Sequence, residues 1–261
     1  MFTLGPVRLV DRSTTREINS GKAENLLTSL LVNNGHSLST DQLIQEMWGT
    51  RPPRLPRAGL HVYISQLRKT LADLDSASSI DTVPQGYRLD LGPDRFDYTD
   101  AVDSARSARS ALVAGDHLTA SRHSEFGLRA WRGAPRTADT GPILEGFEAA
   151  VQELRLELRE INMSARVLIG GDQALINSLH AFVAEYPLRE SFYSHLMLAL
   201  YERGRQAEAL LVYQRACMLL DEELGVLPGP ELRRTHAAIL RTNVDKRSLV
   251  MNGNDGRRLI A

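Results

Sequence analysis

Arg51-Pro52-Pro53-Arg54-Leu55-Pro56-Arg57-Ala58-Gly59-Leu60-His61-Val62-Tyr63-Ile64-Ser65-Gln66-Leu67-Arg68-Lys69 is the stretch on which the reading of this chain turns. It carries Arg51, Arg54, Arg57, Arg68 and Lys69 and no acidic residue, in a chain of 261 residues whose 31 Lys+Arg and 32 Asp+Glu leave a net charge of −1. A helix is expected over Leu55–Leu74. Its apolar residues Leu60, Tyr63, Ile64, Leu67, Leu71 and Leu74 fall on one arc, and Arg57, His61, Ser65, Arg68 and Lys69 fall together on the other side. A helix that rests one face on a small core and turns Arg, His, Ser, Arg and Lys outward is what a DNA major groove requires. Arg57 and Arg68 can bridge phosphates or donate two bonds to guanine, His61 and Ser65 sit where base edges are reached, and Ala58 and Val62 can touch thymine methyls. Charge runs are commonly plain solvated faces, so the flanking elements decide.

Those elements come in a definite order. Residues 2 to 19 read as short strands, with Phe2, Leu4, Val7, Leu9 and Val10 interrupted by Gly5-Pro6. From Gly21 the period changes to three and four, with Ala23, Leu26, Leu27, Leu30 and Leu31 on one face, and the helix stops at Asn33-Asn34-Gly35. Ser39 or Thr40 caps a second helix carrying Leu43, Ile44 and Met47, which Gly49 and Pro52-Pro53 end. After the basic helix, Ile80, Val83, Tyr87, Leu89 and Leu91 flank Pro84-Gln85-Gly86, the pattern of a hairpin. Gln85 and Arg88 then lie where a wing reaches the minor groove or its phosphates.

Beyond Gly92-Pro93 the sequence is almost purely helical to about Arg241, a second domain. Helix-ending glycines recur in Ala-Gly-Asp at 114–116, Gly-Gly-Asp at 170–172 and Arg-Gly-Arg at 203–205. The last two are 33 residues apart, close to the ~34 of a tetratricopeptide unit, and helices stacked this way build a concave binding surface. The expected architecture is therefore mixed: an N-terminal winged helix-turn-helix over 1–92, an all-α tetratricopeptide-like domain over 93–241, and a polar tail over 242–261 read as disordered.

Several classes of function are disfavoured. Apolar runs such as Ala209–Val212 are far too short to cross a bilayer, and the N-terminus does not read as a signal peptide, so a cytoplasmic protein is expected. Cys217 is the only cysteine, which leaves no internal disulfide and no cysteine-pair zinc site. His36, His61, His117, His123, His180, His195 and His236 lack ligand spacing, and no phosphate loop, nucleophile elbow or His-Glu-x-x-His motif is present. Neither metal, cofactor nor catalytic activity is expected. Trp48 and Trp131 each close a helix and read as packing anchors.

Taken together, Leu43-Ile44-Gln45-Glu46-Met47-Trp48-Gly49, Pro52-Pro53, the segment His61–Lys69 and Gln85-Gly86-Tyr87-Arg88-Leu89 resemble the OmpR-type winged helix of the Streptomyces antibiotic regulatory proteins, the SARP family. Ala130-Trp131-Arg132-Gly133, Glu185-Tyr186-Pro187-Leu188-Arg189-Glu190, Gly204–Leu210 and Glu223–Leu232 are similar to that family's bacterial transcriptional activation domain. The resemblance covers about residues 2 to 241. It implies a transcriptional activator of a secondary-metabolite gene cluster that binds direct repeats near the promoter −35 region and recruits RNA polymerase through the sigma factor and other subunits. Leu55–Leu74 becomes the recognition helix and Pro84–Arg88 the wing, while the helical domain supports dimerisation and polymerase contacts. Lys22 matches a basic position early in the first helix. Two departures stand out: Glu24-Asn25 where the family usually places a further basic residue, and Gly59 where it tends to carry a polar one. A small family member without ATPase, sensor or receiver domain is expected, hence no control through a phosphorylated aspartate.

One recognition helix contacts one short half-site, so paired protomers or a homodimer on double-stranded DNA are expected, at the nucleoid. A different class of function also fits the residues: a helical-repeat interaction scaffold whose winged helix docks protein rather than DNA.

Overall fold

The computed structural model describes residues 1–10, 14–18, 20–74, 76–133 and 141–254. The chain packs as two units, Met1–Asp103 with Phe126–Arg155, and Ser104–Glu125 with Leu156–Ala261.

In the first unit, β1 (Arg8–Val10) and β2 (Thr15–Glu17) pair antiparallel, with Arg8 bonded at 2.6 Å to Glu17 opposite it. Ser20 caps α1 (Gly21–Val32). Leu26, Leu27, Leu30 and Leu31 are sealed from solvent, and Glu24, Asn25, Thr28 and Ser29 are buried with them. A helix buried all round must satisfy its polar side chains internally: Ser29 Oγ donates to Asn25 O at 2.8 Å, and Asn25 Nδ2 to Glu46 O at 3.3 Å. Helix α2 (Thr40–Trp48) opens with a reciprocal cap between Ser39 and Gln42. Helix α3 (Pro56–Asp73) starts at a proline, whose missing N–H costs nothing there.

The sheet is antiparallel in the order β3 (Leu38–Ser39), β5 (Gly86–Asp90), β4 (Ser79–Val83). Ile80 lies opposite Leu89, Asp81 opposite Arg88 and Thr82 opposite Tyr87. Ile80, Tyr87 and Leu89 are buried, so register is fixed by burial of one face. The helix-turn-helix pair α2–α3 with the β4–β5 hairpin is a winged helix. Two anchors complete the unit. The Asp97 carboxylate accepts the N–H groups of Thr3 and Leu4 at 2.9–3.1 Å, and the buried Glu46 carboxylate accepts those of Ile143 and Leu144 at 2.9 and 3.2 Å.

The second unit is helical. Helices α4 (Asp97–Ala114) and α6 (Pro142–Ile169) contribute residues to both units. The others are α5 (His117–Leu128), α7 (Gln173–Glu185), α8 (Glu190–Glu202), α9 (Gln206–Leu224), α10 (Pro230–Leu240) and α11 (Lys246–Asn254). The repeated Gly-Asp steps stop one helix and start the next: Gly115 and Gly170 adopt φ of +83° and +106°, while Asp116 and Asp172 accept the N–H of Thr119 and Leu175 at 3.0 and 2.8 Å. Phe192, Leu196 and Leu200 of α8 form the centre of a core to which α7, α9 and α10 add Leu175, Val212, Leu232 and Ile239. This antiparallel stacking is tetratricopeptide-like.

In packing, the segment 126–155 joins the winged helix. One expectation needs correction. The tail read as disordered over 242–261 forms α11 over its middle: Val250 is buried in the helical core, Lys246 donates to Val167 O at 3.2 Å, and its ammonium also pairs with Glu202. Its polar composition concealed Val244, Leu249 and Val250, which pack against that core. Residues 255–261 lie outside the described residues.

Candidate nucleic-acid interface

Helix α3 buries Leu60, Ile64, Leu67 and Leu71, and at about 100° per residue these cover an arc of about 60°. Arg57, Ala58, His61, Val62, Ser65, Arg68 and Lys69 are exposed on the other side, within about 140°. Periodicity therefore placed the outward face correctly. Arg51 and Arg54, in the turn before the helix, are exposed as well. Gly59 faces the Trp48 indole, whose ring carbons lie 3.3 Å from where a Cβ would be. Trp48 also meets Tyr63 edge-on at 6.3 Å, so the glycine serves the closeness of α2 and α3.

The cations on this face are not equivalent. Among the described residues Arg51, Arg54 and Lys69 form no ion pair. Arg57 lies 3.4 Å from Asp41 at the start of α2, a pair 72% and 82% exposed; such a pair is weak and yields readily to a phosphate. Arg68 is spent inside the domain: Nε donates to Ile80 O at 2.8 Å and Nη2 to Thr82 Oγ1 at 2.9 Å. Arg88 bonds Asp81 across the hairpin at 3.0 Å. The Arg88 guanidinium, followed by the Ser79 hydroxyl, holds the Asp81 carboxyl below its ordinary range.

The wing turn, Pro84 and Gln85, is exposed. Gln85 O accepts the N–H of Thr40 at 3.0 Å, which ties the turn to the start of α2. Gly86 has no room for a side chain, since a Cβ would strike Leu38 O and come within 2.8 Å of Ser39 Cα. An open groove runs between α3 and the wing, lined by Thr40, Asp41, Arg57, His61, Gln85 and Tyr87. His61 meets Tyr87 edge-on at 6.4 Å. Lys22 is half-buried near the start of α1 and stands apart from this groove lining, and Glu24 is buried rather than presented on the surface. Sequence reading missed Asp41, Thr82 and Tyr87 as parts of this surface; the position of Asp41 at a helix start was the available signal. No group of three His, Cys, Asp or Glu placed to share a metal ion occurs among the described residues, and none of the helices is long and apolar enough to cross a membrane.

Comparison with known proteins bears on this surface. Residues 16–89 match the family described as "Transcriptional regulatory protein, C terminal", and residues 96–240 match "Bacterial transcriptional activator domain". The chain is 37% identical to the transcriptional regulator RedD of Streptomyces coelicolor over 91% of its own length and 69% of RedD. It is 35% identical to the regulatory protein AfsR of Streptomyces griseus, over 92% of this chain but 24% of AfsR. Among solved structures it resembles Mycobacterium tuberculosis EmbR in complex with a low affinity phosphopeptide, with a TM-score of 0.88 and 30% identity, covering 97% of this chain and 68% of that one. Both domain matches lie in one chain that is 37% identical to RedD, and so the chain belongs to the SARP family of DNA-binding transcriptional regulators.

Proposed function

We propose that the protein is an activator that binds direct repeats near a promoter's −35 region and recruits RNA polymerase, through the sigma factor and other subunits, to a secondary-metabolite gene cluster. The observation that carries this is the exposed surface of the acid-free stretch Arg51–Lys69, the turn before α3 and the outward face of α3 as far as Lys69, with Arg51, Arg54 and Lys69 unpaired among the described residues. In a chain of net charge −1 such a concentration is local, as phosphate recognition needs. Arg51, Arg54, Arg57 and Lys69 take phosphates; His61, Val62 and Ser65 face base edges; Gln85 brings the wing to the backbone, and Lys22 adds a flanking phosphate contact. Arg88, balanced by Asp81, contributes through the shape of the wing. Two protomers sit head to tail on the repeats, as a single half-site gives too little specificity, and the protein works in the cytoplasm at the nucleoid. The helical unit offers the polymerase-facing surface, and no cofactor or catalytic step is required.

Footprinting on promoter DNA from the gene's own neighbourhood, at two salt concentrations and with and without RNA polymerase, tests this. A salt-sensitive protected pair of direct repeats beside the −35 element, strengthened by polymerase, is the expected result. Absence of protection under every condition would instead make the basic face a protein-docking surface on a helical scaffold.

A further inference from the structure

β4 is an edge strand of its sheet, so one side of its backbone has no strand partner, and an edge carbonyl must find a donor elsewhere or remain a site for stray pairing. Arg68, in the last third of α3, meets that edge with Nε on Ile80 O and Nη2 on Thr82 Oγ1, at 2.8 and 2.9 Å, while its Cζ lies 5.9 Å from the centre of the Tyr87 ring on β5. The Asp81–Arg88 pair joins β4 to β5 within the hairpin and does nothing for the angle between hairpin and helix. Among the described residues the two hydrogen bonds that join α3 to β4 are both donated by Arg68. We propose that Arg68 is a positioning residue: its planar fork clasps the β4 edge and sets the pose of the wing against the recognition helix, so that helix and wing engage DNA together.

The proposal rests on the DNA-interface reading above and assigns Arg68 a different part from a base or phosphate contact. A guanidinium presents its N–H groups at fixed angles and spans carbonyl and hydroxyl at once, whereas a lysine ammonium carries the same charge without that geometry. Charge-conserving replacement therefore separates the roles. Duplexes selected by the full chain from a random pool, and the unselected pool, serve as probes, with thermal unfolding followed by circular dichroism as a check on folding.

Arg68→Lys and Arg68→Ala are each expected to weaken binding to the selected duplex about tenfold, by the same factor, with base preference unchanged at every position. Thr82→Val removes one acceptor with little change of shape; alone it weakens binding less, and added to Arg68→Ala it costs nothing more, because both act through one clasp. If Arg68→Ala fails to fold, Arg68→Lys and Thr82→Val carry the comparison. Full affinity in Arg68→Lys would mean a charge resting on phosphate, a relaxed preference at one base pair in Arg68→Ala would mean a base contact, and wild-type affinity in all variants would mean neither; each overturns the proposal while leaving the DNA reading intact. Failure of the wild-type chain to select any duplex removes the DNA reading and this inference with it.

Discussion

Gly86 begins the returning strand of the wing at a point where the backbone of β3 passes directly over it. Alanine there would drive a Cβ into Leu38 O and Ser39 Cα, backbone atoms that cannot rotate away. Gly86→Ala is therefore expected to destabilise the protein by about 3 kcal/mol, at the upper end of overpacking costs, seen as a lower urea midpoint with an unchanged slope. A wild-type midpoint would mean that β3 can withdraw freely. At this scale the sequence was only partly legible. The outward character of His61, Val62, Ser65 and Lys69 followed from periodicity, because which face of a helix is buried depends on spacing alone. The engagement of Arg68 and Arg88 did not follow: Arg68 depends on a hairpin carbonyl 12 residues along the chain and Arg88 on a carboxylate across the hairpin, 7 residues away, and helical spacing carries no information about either partner. The place of Gly59 in the recognition helix, a departure from the family pattern, is likewise explained only by the Trp48 ring packed against it.

Elements were read well where they are long and periodic. The three helices and the hairpin of the winged helix lie where the pattern of apolar residues put them, whereas β3 has two residues, too few for any alternation, and is made a strand by β5 alone. Helix α11 was hidden by polar neighbours for the opposite reason, since what holds it is a core supplied by other helices. Two predictions belong here. Asp116 and Asp172 are held below the ordinary aspartate range by the hydrogen bonds they accept at the starts of α5 and α7, from Thr119 and from the Leu175 N–H respectively. A depressed pKa in the folded state contributes stability that is present above the unfolded value and lost as pH falls through the folded one. The thermal midpoint should thus decline on acidification below the ordinary aspartate range, and the double variant Asp116→Asn, Asp172→Asn should decline less; equal slopes would show that these caps are not the titrating groups. The second concerns Glu46, whose buried carboxylate accepts two N–H groups at the start of α6. Glu46→Ala leaves both donors without their acceptor and is expected to cost about 3 kcal/mol in chemical unfolding, in keeping with hydrogen bonds to a charged group; a loss below about 1 kcal/mol would mean that water replaces it.

For the whole molecule the relevant quantity is how binding responds to salt, since a chain of near-zero net charge owes any nucleic-acid affinity to one face. Replacing Arg51, Arg54 and Lys69 together by alanine should weaken binding to every duplex alike and flatten the plot of log K against log salt by about 0.9 for each phosphate released. A variant that lost preference at particular bases while keeping its salt response would reassign those three side chains to readout. The passage from winged helix to helices was legible from the change of texture near Gly92-Pro93, but the return of Asp97 and the segment 126–155 to the winged helix was not, because it arises only once the chain has folded. This return bears on heredity as well as on stability. A recombination event that spliced a foreign reading head at residue 92 would sever the Thr3 and Leu4 amides from Asp97 and Glu46 from its own helix start, and would hand both partners unmatched surfaces. Exchange of binding specificity within such a lineage should therefore proceed by point changes along α3 and the wing, and where a larger block is traded it should carry the first half of α6 with it.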